Sequence, residues 1–283
     1  MSDLSPSHRI NPDFSLDQFL MSVFGPVVND LITHIGSMRE NIDVEAVHQA
    51  RVATRKVRSH LKTFAPLLKR KKYEVIVEEL KWLNAKITPT RDIDVLIEIA
   101  QKLEIENQAT MHQVIIELAQ ERNTSIHSLA NALNKKRVDA LLTQLVHFAL
   151  HPPIKKKLLA APAHVRKTVA VQCISNTWTL LFTEVEKLPN HPKAKQLHRV
   201  RIMSKRCRYA YEVAEIDQLL PSSHITTYAQ NLQRKLGQFN DSALFLRWLK
   251  KRPYISTSLI KEVRAKLQLP TKVGRKQLLS EAT

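Results

Sequence analysis

Apolar residues recur at helical spacing along most of the chain. Leu16, Phe19, Leu20, Val23, Val27, Leu31 and Ile35 step by three and four behind Ser15, a residue type that caps helix starts. They predict a first helix, with Pro26 expected to kink it. Asp43 is placed to cap a second helix over about 44–69, and a third covers about 72–87. In the stretch TPTRDIDVL that follows, Pro89 is expected to close one helix and Thr90 or Asp92 to open the next. Two more helices fill about 107–133 and 135–150, and HPP at 151–153 breaks the pattern. A basic connection over 155–167 leads into a helix running through Trp178 to about Lys187. Further helices are predicted over about 193–219, 223–237, 240–251 and 256–268, with a break at LGQFND. Residues 1–12 and the basic residues 269–283 read as tails around one domain, 13–268. The fold class is all-α.

The second helix has two opposed faces. At 100° per residue, Ala50, Ala53, Val57, Leu61, Phe64 and Leu68 share an arc of roughly 80°. His48, Arg51, Arg55, Arg58 and Lys62 share an opposite arc of similar width. No acidic residue occurs between Glu45 and Glu74. A solvated face usually mixes charges, because opposite charges at i,i+4 are favourable and like charges are not. A face that forgoes such pairs is suited to an anion supplied from outside.

The same pattern returns 150 residues later. His198, Arg201, Ser204, Lys205, Arg206 and Arg208 match His48, Arg51, Thr54, Arg55, Lys56 and Arg58. Val200, Met203, Cys207, Tyr211 and Ala214 repeat the core face. Glu212 replaces Lys62, and Tyr209 stands where the first copy has Ser59. A second element repeats too: LNAKITPTRDIDVL at 83–96 resembles LQRKLGQFNDSALF at 232–245, pairing Arg91 with Asn240 and Asp92 with Asp241. Two elements repeated in order imply two related halves, about 13–154 and 155–268. Their natural arrangement is two antiparallel bundles related by a pseudo-twofold, a symmetry that can turn both basic faces toward one shared groove.

Composition narrows the chemistry. The formal charge is +18, from 44 Lys and Arg against 26 Asp and Glu, which points to a polyanionic partner. Only four glycines occur, and none can build a P-loop or a dinucleotide-binding turn. Cys173 and Cys207 lack metal-ligand spacing and read as small core residues, so no disulfide or zinc site is expected. No signal peptide and no membrane-spanning run is apparent, so the expected compartment is the cytoplasm, without membrane association.

The pattern H-x-x-R-[VI]-x-[TS]-[RK]-[KR]-x-R, present at 48–58 and 198–208 with a similar downstream segment, resembles the CHAD family, the conserved histidine α-helical domain. The first downstream segment reads KITPTRD and departs from the LG of the second. The resemblance implies two antiparallel four-helix-type bundles around a cationic groove or pore, binding of inorganic polyphosphate, and association with polyphosphate granules.

Polyphosphate carries about one charge per phosphate and no bases, so its site needs cationic donors and little else. Arg grips two phosphate oxygens with its planar fork, whereas Lys is a mobile point charge. Arg51, Arg55, Arg58, Lys62, Arg201, Lys205 and Arg208 form the expected ladders, with Lys56 and Arg206 at their flanks. Tyr209 either donates its hydroxyl to phosphate or packs against a neighbouring helix. His48 and His198 either donate to phosphate or are hydrogen-bonded within the bundle. No partner ligand at i+4 supports metal binding by either histidine, and no cofactor is expected. Arg91, Asp92, Lys235, Asn240 and Asp241 are expected to support the site, the aspartates as caps or as holders of a groove arginine. No paired carboxylates or nucleophilic triad can be read from the spacing, so no enzymatic activity is expected. Nucleic acid is the competing partner, though an aromatic content of 6% leaves few platforms for base stacking. An enzyme acting on phosphate chains is the remaining alternative.

Overall fold

The computed structural model describes residues 14–216, 219–220, 223–267 and 278. Among these the chain is helical, with one isolated antiparallel bridge, Leu68 to Ile154. The helices are α1 (Leu16–Glu40), α2 (Val44–Thr63), α3 (Arg70–Lys102), α4 (Gln108–Leu133), α5 (Lys136–Leu150), α6 (Lys156–Leu159), α7 (Ala163–Glu186), α8 (Ala194–Ile216), α9 (Ser223–Leu249) and α10 (Thr257–Lys266). Ser15 caps α1 by accepting from the Gln18 amide at 3.4 Å, and Asp43 caps α2 by accepting from Ala46 at 2.8 Å. α2 stops at Thr63, short of the expected residue 69, because Pro66 cannot donate to a continuing helix and a 3-10 turn, Ala65–Leu67, takes over.

The chain folds as two pseudo-twofold-related antiparallel helical halves. α1–α4 correspond to α7–α10. Across the interface α2 packs on α8, α3 on α9 and α1 on α7. Like meets like, which is what a twofold produces. The copies are unequal at the fourth helix: α4 has 26 residues and α10 has 10. α5 packs on α1 and α3.

One continuous core draws on both halves, including Phe24, Val57, Leu61 and Phe64 from the first and Ile174, Cys207, Ala210 and Leu232 from the second. A smaller core joins the far ends of α3 and α9, where Leu96 and Ala100 meet Phe245, Leu246 and Leu249. Beside it Arg252 stacks on Trp248 at 3.8 Å and bonds Glu117 at 2.7 Å and Glu121, tying α9 to α4. α1 is long and apolar enough, by length and composition, to cross a membrane, contrary to the reading of the sequence. In this fold its apolar stripe, from Leu16 to Met38, is buried.

Two expected breaks are absent. α3 runs for 33 residues through Pro89, and α9 runs through LGQFND without interruption. Pro89 removes one helical hydrogen bond. Tertiary ties anchor α3 beyond Pro89: Thr90 shares a hydrogen bond with Ser125 at 2.7 Å, and Asp94 accepts from Arg122 at 2.6 Å. Asp92, from the opposite face, accepts from Arg51 at 2.7 Å. Thr90 and Asp92 are therefore interior residues of α3, and Asp241 is interior to α9, not caps. In α9 the packing continues across the expected turn, as Leu232, Leu236, Phe245 and Leu249 are all buried. Helical spacing set by the core thus outweighs local punctuation. The tails expected at 1–12 and 269–283 lie outside the described residues, save Leu278. It is buried, and its carbonyl accepts from the Tyr228 hydroxyl at 3.2 Å.

Candidate functional site

Because α2 and α8 pack side by side across the pseudo-twofold, their basic faces converge. Between them lies a cavity of about 310 Å³. α2 contributes Arg51, Arg55, Arg58, Ser59 and Lys62, and α8 contributes His198, Arg201, Ile202, Lys205, Arg206 and Tyr209. α3 adds Asn84. Seven of these twelve residues are Lys or Arg and none is acidic, so the lining is cationic.

Each half positions its cations differently. Arg51 is held by Asp92 of α3, whose carboxylate accepts at 2.7 Å. Arg55 donates its Nε to the Tyr209 hydroxyl at 3.2 Å, which links the two halves through the cavity wall. Tyr209 is fully buried, so its ring packs as one of the two readings expected, while its residue also lines the cavity. The Nε atoms of Arg58 and Arg201 are buried without a hydrogen-bond partner. Burial pushes both guanidinium pKa values down; for Arg201, Arg55 and Arg51 act in the same direction against Asp241. Gly237 lies beside Arg201: a Cβ built on it would stand 3.9 Å from Nε. Lys205 is 9% exposed. Burial, with Arg55, Arg201 and Arg51 beside it, pushes its pKa down to about 6 against an opposing pull from Asp241.

Several predicted residues lie elsewhere. His48 is half-buried and is not among the cavity-lining residues. Burial, then Arg91, Arg55 and Arg51, pushes its pKa below the usual imidazole value, with Glu45 opposing, so it is neutral at pH 7. His198 is exposed and lines the cavity, so the two histidines are not equivalent. Arg208 is drawn off the ladder: it pairs with Glu212 at 3.0 Å and stacks over Tyr209 at 4.6 Å. Glu212, which replaces the first copy's Lys62, is the cause. Lys56 also lies outside the lining. Arg206 reaches it, but serves α2 as well, donating to the Lys62 carbonyl at 2.8 Å and to Thr63 at 3.2 Å. It satisfies a carbonyl at the helix C-terminus, where a cation is favoured.

The supporting residues divide similarly. Arg91 acts on His48 through its charge, Asn240 donates to Asp241 at 3.1 Å, and Lys235 is half-buried on α9. Charge patterning missed Asn84 and Ser59, which are uncharged. A signal for Asn84 existed: it lies four residues before Thr88, and its amide donates to that hydroxyl at 3.2 Å, forming a polar strip on α3. Among the described residues no group of three His, Cys, Asp or Glu could hold a metal. Both cysteines are buried and free, and burial pushes their thiols to about 11 and about 12.

Fold and site together define an all-helical protein built from two repeated bundles that share a cationic cavity. The CHAD domain family matches residues 23–250, and the chain belongs to that family. Its fold is similar to the crystal structure of the CHAD domain from the plant Ricinus communis, with a TM-score of 0.77 and 21% identity over 96% of this chain and 92% of that one. It is also similar to PptA from Streptomyces chartreusis, with a TM-score of 0.70 and 15% identity over 94% and 95% of the two chains. At these identities the likeness is one of fold. No curated protein matches the sequence.

Proposed function

We propose that this protein binds inorganic polyphosphate in the cavity between α2 and α8 and does not act on it chemically. The observation that carries the reading is the lining, with seven Lys and Arg side chains and no carboxylate. The guanidinium forks of Arg55, Arg58 and Arg201 there can grip phosphate oxygens. A flexible chain of phosphates can follow cations on two helices at once. Nucleic acid fits less well, because Tyr209 of the lining is fully buried, which leaves the small His198 imidazole as the ring on which a base could stack among the described residues. A binding protein of this kind would work in the cytoplasm, at polyphosphate granules.

Binding is tested by titrating the purified protein with long-chain polyphosphate over a range of salt. The expected result is tight binding at low salt that weakens linearly in log–log form as counterions are released. Polyphosphate should displace duplex DNA, and DNA should not displace polyphosphate. No binding at low salt, or preference for DNA, overturns the assignment. Release of orthophosphate by the pure protein, with or without Mg²⁺, overturns the non-enzymatic part.

A further inference from the structure

Lys205 is the only lysine of the cavity that is buried; Lys62, at the α2 end, is exposed. From α2 it faces Arg51 and Arg55, and from its own helix Arg201 and the Tyr209 hydroxyl. α9 contributes Asp241, a carboxylate that favours its charged form, and Asp92 of α3 is committed to Arg51. α7, on the other side of α8, presents Cys173 to Arg206 and contributes no charged neighbour to Lys205 among the described residues. The Lys205 Nζ makes no hydrogen bond or ion pair among the described residues and keeps contact with the solvent of the cavity. An ammonium here would keep only part of its hydration and stand among three guanidinium groups.

The repeat sharpens the point. The matching position in α2 is Arg55, and arginine keeps its charge in proteins. Lysine at the α8 position supplies an amine that can shed its proton. Two permanent cations at these facing positions would repel each other with no anion between them. A phosphate entering the cavity reverses the balance, because a nearby negative charge and new acceptor oxygens both favour the ammonium.

We propose that Lys205 stands uncharged in the anion-free cavity and takes up one proton from solvent when a polyphosphate segment enters. No covalent bond forms; the Nζ lone pair accepts the proton and the ammonium then donates to phosphate oxygens. The proposal rests on the polyphosphate reading for its ligand. It makes binding pH-dependent. Affinity should rise as pH falls, by up to about tenfold per pH unit, while the free amine is neutral and the bound one charged. The rise should flatten below about pH 6, where the free amine already carries its proton.

Two measurements test it. In the free protein, lysine Cε resonances are followed by ¹³C NMR against pH, and Lys205 is assigned by its loss in Lys205→Arg. One resonance titrating near pH 6, far below the other lysines, is expected. If Lys205 titrates with the others, the proposal falls whatever the protein binds. Calorimetry with long-chain polyphosphate is then run at about pH 8.5, above the histidine range, in two buffers of different ionisation enthalpy. Uptake of about one proton per filled cavity is expected, and Lys205→Arg should bind without uptake. Binding without uptake, or uptake that survives in Lys205→Arg, overturns the proposal. If polyphosphate does not bind, the function reading falls separately, the NMR titration still decides the free amine, and inorganic sulfate serves as the probe anion.

Discussion

Arg55 and Tyr209 meet across the two halves, and their bond is where the repeat ceases to be symmetric. Ser59, the first copy's counterpart of Tyr209, is too short to return the contact. Tyr209→Phe removes the acceptor from the Arg55 Nε. We expect a loss of about 1 kcal/mol, measured by urea unfolding, because a bond at 3.2 Å is long for one made by a charged donor. An unchanged midpoint would show that the hydroxyl does not tie the halves. At this scale the sequence revealed the charges and hid their partners. The ladder Arg51, Arg55, Arg58 and Arg201 was legible because helix geometry fixes which residues share a face. That Glu212 captures Arg208, and that Arg206 serves the end of α2, depends on side-chain reach across two helices, which spacing along one helix does not encode.

Among the elements, α3 and α9 differ most from their sequence-based expectation. The phases of α1, α2 and α8 were readable from the apolar spacing, but α3 was read only to about residue 87 and α9 as two helices. The breaks at Pro89 and at LGQFND were misread, because both rested on local propensity and the core overrode it. Gly237 decides the point for α9. If it formed a turn that required glycine, alanine would destabilise the protein. In a helix interior, Gly237→Ala should stabilise by about 1 kcal/mol. The added Cβ stands 3.9 Å from the Arg201 Nε, an ordinary contact, so polyphosphate affinity should not change. Thermal unfolding and a binding titration on the same variant check both parts; a lowered melting temperature would contradict the helical assignment.

For the whole molecule, the pseudo-twofold governs both stability and function. The main core runs through α1 and α2 into α7, α8 and α9 without a boundary, and the second core also takes members from each half. The halves should therefore unfold together. Trp82 on α3, Trp178 on α7 and Trp248 on α9 report from both sides. Tryptophan fluorescence and far-UV circular dichroism should give coincident urea transitions, and separated ones would mean that each bundle folds alone. The repeat made the pairing of the two stripes readable from the sequence, but not the depth at which each residue sits. His48 lies outside the cavity and His198 lines it, although their motif positions are identical.

The central claim is that one polyanion is held by both helices at once. It is tested most directly by measuring polyphosphate affinity against salt for the wild type, Arg51→Gln and Arg201→Gln, with helicity checked by circular dichroism. The account predicts that each substitution weakens the same binding event and lowers the salt slope by about 0.7–0.9, the contribution of one phosphate contact. If either variant keeps the wild-type affinity and slope, or if the two residues prove to belong to separate sites, the shared cavity is not where the polyanion binds.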